Sequence, residues 1–362
     1  MMRSKTLLTM AIVICMSLIL FPISGVSAAP KVITLKFANF FPPPSSQSKT
    51  CEYFINELEA RTNGRVKVRY FPGGSLLKST AMVKGVEKGI ADIGLSHIEY
   101  TTGRFPIMEA CELPLGYPTG WVANQIMNDF YNKFKPKEWD SVKVMWFHAN
   151  TPSLVITKKP VRTLEDFKGL TIRASGRMAN VILALGGTPA PTPMMETYDA
   201  FAKGVVQGVF AGGESVRTFK FGELAKYVTS SWNVGPSYPF FVIINKKSYA
   251  KLPPDIKEIF DALCGEFKER FALMWEANDF PAITYAKKHG VQYIELPKAE
   301  FDRWTQAVQP VIEKYVKDMV GKGFPETEVR GWISYLKKRS SELLEKQKKL
   351  NIKSTTGPPE VR

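Results

Sequence analysis

Twice along this chain short apolar strands alternate with helices closed by glycine, and that repeated order limits the fold more than any single residue does. In the first run, residues 32–40 alternate apolar and polar as a half-buried strand does, then break at Pro42-Pro43-Pro44. A helix is predicted over 48–62, with Cys51, Phe54, Ile55 and Leu58 on one face and Asn63-Gly64 ending it. Residues 66–71 read as a second strand, 82–88 as a short helix stopped by Gly89, and 91–95 as a third strand. Strands joined through helices run parallel with the helices on the sheet faces, so this half predicts an open, mostly parallel α/β lobe.

The second run repeats the pattern. Residues 142–147, 170–173 and 205–210 read as strands, and 164–167, 178–185 and 196–203 as helical segments between them. The strongly apolar 240–245 predicts a strand returning to the first lobe. After it, Ile256, Ile259, Phe260, Leu263, Phe267, Phe271 and Met274 fall three and four apart, on a helix long enough to brace both lobes. Helical patterns follow over 298–322 and 325–350. The expected division is 30–150 with 237–278 as the first lobe, and 151–236 with 279–350 as the second. The Pro/Gly/Ser-containing end, 351–362, is expected to be a disordered tail.

Residues 1–28 have the three parts of an export signal. Arg3 and Lys5 are followed by an apolar stretch and by Val26-Ser27-Ala28, a small-residue cleavage site. Cleavage there leaves about 334 residues, more than one hydrophobic core usually supports. No later segment is apolar for the eighteen residues a membrane span needs. The formal charge of +15 is spread along helices, thickening at Lys337-Lys338-Arg339 and Lys346-Gln347-Lys348-Lys349, without an aromatic-interleaved basic motif. Nucleic acid is therefore not expected as a partner. Cys51, Cys111 and Cys264 suit neither a zinc site nor a redox pair and are expected to be free thiols. His97, His148 and His289 lack ligand spacing, so neither a metal nor any other cofactor is expected. No Gly-x-Ser-x-Gly elbow or His-Glu-x-x-His helix occurs, which leaves an enzyme reading without a nucleophile or metal motif.

Candidate binding residues sit where strands end, because open α/β sheets bind ligands beyond their carboxyl ends. Arg173 closes the strand 170–173; its planar, always charged guanidinium matches a carboxylate bidentately. An ordinary surface pair with Glu165 or Asp166 is the alternative. Among the aromatics, Phe41, Tyr100, Phe210 and Trp232 border predicted strand ends, although core packing would suit each as well. Glu99 and Glu214 also sit at such ends, able to take a ligand amine or hydroxyl or to pair with an arginine.

Several stretches taken in order resemble a known family. They are Arg61-Thr62-Asn63-Gly64-Arg65-Val66, then Tyr70-Phe71-Pro72-Gly73-Gly74-Ser75-Leu76, and Val86-Glu87-Lys88-Gly89-Ile90-Ala91-Asp92-Ile93-Gly94. Lys168-Gly169-Leu170-Thr171-Ile172-Arg173, Leu185-Gly186-Gly187-Thr188-Pro189 and Lys203-Gly204-Val205-Val206-Gln207-Gly208 complete the series. The chain resembles the substrate-binding proteins of tripartite ATP-independent periplasmic (TRAP) transporters, the C4-dicarboxylate-receptor branch. The resemblance implies a hinged, two-lobe periplasmic binding protein fold of type II, secreted to the periplasm. It implies a monomer that closes on an organic acid and hands it to a TRAP membrane permease, without catalysis. A ligand-sensing partner of a membrane receptor is the alternative output. In the family, the arginine at position 173 pairs with the substrate carboxylate. Where some members carry a second arginine this chain has Asn150-Thr151-Pro152-Ser153-Leu154, so Asn150 and Ser153 are candidates in its place. Beyond Gly208, Ala211-Gly212-Gly213-Glu214 stands where many relatives have an Asn or a Pro-Trp pair, which suggests either more room or simply a sharp turn at the two glycines.

Overall fold

A computed structural model describes residues 32–362, so the export signal and Cys15 lie outside the described residues. The strands are β1 Ile33–Asn39, β2 Val66–Phe71, β3 Ile93–His97, β4 Lys143–Ala149, β5 Leu154–Thr157, β6 Thr171–Arg173, β7 Thr188–Ala190, β8 Gly208–Ala211, β9 Tyr227–Ser230, β10 Pro239–Ile244 and β11 Gln292–Glu295. They form a five-stranded sheet, β2-β1-β3-β10-β4, and a six-stranded sheet, β11-β9-β5-β8-β6-β7. α-Helices of six residues or more are α1 Ser46–Arg61, α2 Met82–Glu87, α3 Gly120–Phe134, α4 Met178–Ala184, α5 Met194–Ala202, α6 Pro254–Lys288, α7 Lys298–Ala307, α8 Gln309–Gly321 and α9 Glu326–Lys349. Each sheet anchors one lobe.

The first sheet starts as its residues dictate. β1 pairs in parallel with β2 and β3, and α1 between them is capped by Ser45, whose side chain accepts the N–H of Ser48. β10, all six of whose residues are buried, inserts antiparallel between β3 and β4. Burial on both faces accounts for its unbroken apolar sequence. In the second sheet β6 runs parallel to β7 and β8, whereas β5 runs antiparallel to β8 and β9. Neither sheet is all-parallel, because a chain that crosses between lobes enters each sheet from the opposite end.

Two connections carry the chain across: 150–153 after β4 and 231–238 before β10. They are tied to each other. Ser153 donates its N–H (3.2 Å) and Oγ–H (2.7 Å) to the Pro236 carbonyl, and Tyr238 N–H donates to Asn150 Oδ1 at 2.6 Å. A Cβ at Gly235 would lie 1.8 Å from the Ser153 carbonyl oxygen, so only glycine lets the two strands approach this closely. The third connection is α6, 35 residues long, which packs on α1, α3 and β4 of the first lobe and on the short helix Ser215–Thr218 of the second.

Two sequence expectations need correction. Residues 309–349 were expected in the second lobe, yet α9 packs on α3, and Ile312, Tyr315, Trp332 and Leu336 share an apolar cluster with Trp121, Ile126 and Phe130 of the first. Amphipathic periodicity shows which face of a helix is buried, not which surface it finds. The end of the chain, expected to be disordered, is folded: Ser354 N–H bonds the Val361 carbonyl at 2.7 Å, and Pro359–Val361 forms a 3-10 turn. Thr356 Oγ1 donates to the Pro118 carbonyl (2.9 Å) and Thr355 Oγ1 to Asp279 Oδ2 (2.8 Å). The Ser, Thr, Gly and Pro that read as disorder serve here as turn formers and hydroxyl donors. Cys51, Cys111 and Cys264 are buried free thiols.

Candidate functional site

A small pocket lies between the lobes, beyond the strand ends. The first lobe contributes Phe40 and Phe41 after β1, His97 and Tyr100 after β3, Asn150 after β4, Phe240 from β10 and Trp275 from α6. The second contributes Arg173, Met194, Ala211, Gly212, Glu214 and Phe219, and Tyr238 comes from the crossing segment. The walls are mostly aromatic. Phe40, Phe41, Phe240 and Trp275 stand with ring centroids 4.3 to 6.2 Å apart, stabilising one another as they close off water.

Arg173, the last residue of β6, is 1% exposed and, among the described residues, is the one Lys or Arg on the cavity wall. Its Nε–H donates to the Thr192 carbonyl (2.8 Å), one Nη–H to Ser175 Oγ (3.2 Å) and another, at 3.4 Å, toward Tyr238 Oη. Among the described residues it makes no ion pair. The surface alternative is excluded, since Glu165 pairs with Arg303 and Asp166 caps the turn at Thr163. Glu99 connects to Arg173 only through the Ser175 hydroxyl, which accepts from the guanidinium and donates to Glu99 Oε2. Burial raises the Glu99 pKa, more than its Ser175 hydrogen bond and Arg173 lower it. A buried cation without a counter-charge is costly, and the cheapest remedy is an anion in the cavity.

The other polar groups bear little charge. Burial pushes the Glu214 carboxyl up to about 8, so it is mainly protonated at pH 7. His97, held well below its ordinary pKa by burial and by Arg173, is neutral; its Nδ1 accepts the Glu99 N–H at 3.2 Å. Asn150 is used up structurally, donating to the Thr151 carbonyl and accepting from Tyr238 N–H. The lobes touch across the cavity mouth. Tyr100 Oη accepts the Met194 N–H (3.2 Å), and Arg177 pairs with Glu109 (2.5 Å) and Asp318 (3.4 Å).

Of the residues singled out in the sequence, Arg173, Phe41, Tyr100, Asn150 and Glu214 meet at this cavity, and Ser153, Phe210 and Trp232 do not. Ser153 is consumed by the crossing segment. Phe210 lies one residue from the mark on β8: strand alternation turns Ala211 to the cavity and Phe210 into the core, while the Phe210 carbonyl accepts from Tyr238 Oη at 2.9 Å. Trp232 packs edge-on against Phe301 of α7, with centroids 5.1 Å apart. Tyr238 and Phe240 were visible as aromatics near a crossing strand. His97, Met194, Phe219 and Trp275 had no local signal, because their role depends on how α6 and the second lobe dock.

A family model described as bacterial extracellular solute-binding protein, family 7 (DctP), matches residues 37–318. A solute-binding protein of Albidiferax ferrireducens is 27% identical over 265 residues, 69% of this chain and 75% of that one. A TRAP periplasmic solute-binding protein from Desulfovibrio salexigens, solved in an open complex, is 34% identical with a TM-score of 0.74, over 84% of this chain and 95% of that one. A marine metagenome TRAP solute-binding protein specific for aromatic acid ligands, solved with metahydroxyphenylacetate, is 25% identical with a TM-score of 0.81, over 86% and 99%. The two sheets with their flanking helices agree with these likenesses. The chain belongs to family 7 of the bacterial extracellular solute-binding proteins, the DctP family of TRAP solute receptors.

Proposed function

We propose that this receptor carries an aromatic carboxylate across the periplasm and presents it, in the closed form, to a TRAP membrane permease. The carrying observation is Arg173: a fully buried guanidinium without an ion pair, facing a cavity walled by Phe40, Phe41, Phe240 and Trp275. A carboxylate supplies the missing charge, and a flat ring fits walls that offer π-faces and few hydrogen bonds. The likeness to a receptor specific for aromatic acids supports the same class. The export signal at residues 1–28 would place the protein outside the cytoplasm. Among the described residues no helix is long and apolar enough to cross a membrane. Ligand bound by groups of both lobes favours the closed state, and release unchanged to the permease completes the cycle without chemistry.

The test is thermal stabilisation of refolded, ligand-free protein by a panel of organic acids. An acid at 100 times its Kd should add about 2.7 kcal/mol to folding stability. A panel of aromatic and aliphatic acids that leaves the melting curve unmoved contradicts the receptor reading.

A further inference from the structure

Arg173 accounts for a ligand carboxylate, and a second buried polar group lines the same cavity. Glu214 reaches it from the loop after β8, 4% exposed, and its Oε2 has no hydrogen-bond partner. Gln47 of α1 is fully buried nearby, approaching Glu214 without closing a hydrogen bond of good geometry, and neither its Nε2 nor its Oε1 is paired. Three unpartnered polar atoms at one place among the described residues are unusual, because native structures satisfy nearly all of their buried polar groups. Among the described residues, Glu214 and Arg173 have no hydrogen-bond partner in common. Thr192, Ser175 and Tyr238 surround the guanidinium, whereas Thr218, Gln47 and Asp279 surround the carboxyl.

The loop is shaped to bring Glu214 here. A Cβ at Gly212 would lie 2.8 Å from Asn150 Nδ2, and one at Gly213 would lie 3.3 Å from Asp279 Oδ2, so the two glycines let the backbone pass between fixed polar side chains. Asn150 is held on both sides and cannot retreat.

We propose that Glu214, with Gln47 behind it, forms a second recognition point that reads a hydroxyl group on the ligand, so that the preferred ligand is a hydroxylated aromatic carboxylate. This rests on the receptor reading of the cavity and narrows it. A hydroxyl both donates and accepts, as do the amide of Gln47 and a protonated carboxyl. Beyond Arg173, a second carboxylate finds no Lys or Arg on the cavity wall among the described residues and meets Glu214 instead.

The experiment is calorimetric titration of the refolded, ligand-free chain with benzoate, meta- and para-hydroxybenzoate, the corresponding toluates, and meta-(aminomethyl)benzoate. A toluate matches a hydroxybenzoate in size but lacks the hydrogen bonds. One hydroxybenzoate should bind about tenfold or more tighter than its toluate, the difference that one satisfied buried polar group supplies. Glu214→Ala should erase that preference, and Glu214→Gln should retain most of it. Equal binding of hydroxybenzoate and toluate by the wild-type chain overturns the proposal without needing any variant. Tightest binding of the aminomethyl compound also overturns it. If the thermal panel finds aliphatic acids binding where aromatic ones do not, the proposal and the aromatic reading both fall while an organic-acid receptor remains, whereas failure of every carboxylate would remove the receptor reading itself.

Discussion

A guanidinium buried without an anion is an incomplete interaction, and at Arg173 the structure supplies every part but the partner. That much was legible in the sequence, because an arginine ending a strand before a helix signal is a local feature. The rest of the site was legible only to within a residue: Phe210 was marked and Ala211 faces the cavity, since alternation fixes the face only once the register is known. Gly176 shows how one residue governs closure. It holds φ +56°, and a Cβ there would lie 2.6 Å from Glu99 Cγ and 2.8 Å from Glu99 Cβ, near-backbone atoms that cannot swing away. Gly176→Ala should therefore hold the lobes apart and weaken ligand binding about tenfold or more, beyond the roughly 1–2 kcal/mol that the left-handed conformation costs any alanine. Small-angle scattering should show the ligand-induced compaction lost; a variant that compacts and binds like wild type refutes the contact.

Elements were read more securely than their neighbours. β1, α1, β2, α2 and β3 follow from periodicity and capping within each segment. β5, β9 and β11 are four residues each and were not marked, because short strands stabilised by pairing carry little pattern of their own. Residues 354–362 teach the reverse lesson: composition suggested disorder where specific hydroxyls found buried acceptors. This segment holds Asp279, which lies against Gly213 and hence beside Glu214. Deleting residues 354–362 leaves Asp279 Oδ2 and the Pro118 carbonyl without those partners, and should lower stability in urea by about 1–3 kcal/mol. An unchanged midpoint would show that the segment adheres without contributing.

At the scale of the whole molecule, buried acids set the pH response. Burial raises Glu214 to about 8, and Glu138 and Glu276 to about 7, so the folded chain retains protons that the unfolded chain releases. Stability then falls as pH rises through that range. His97 and His148, held below 6.5 by burial, act in the opposite sense only at lower pH. Between pH 6.5 and 8 the ligand-free protein should lose roughly 2–4 kcal/mol, measured by urea unfolding at both ends; a flat or rising profile contradicts the assignment of these acids as neutral. In the proposed function, closure and ligand recognition converge on Arg173, which belongs to the second lobe and reaches the first through Ser175 and Glu99. The most direct measurement is the affinity of the tightest-binding carboxylate for the wild-type chain and for Arg173→Ala, by titration calorimetry on refolded, ligand-free protein. The account predicts a loss of about 2 kcal/mol or more, some thirtyfold, from removal of a buried charge partner. Equal affinity in the two proteins would take Arg173 out of the site and the central claim with it.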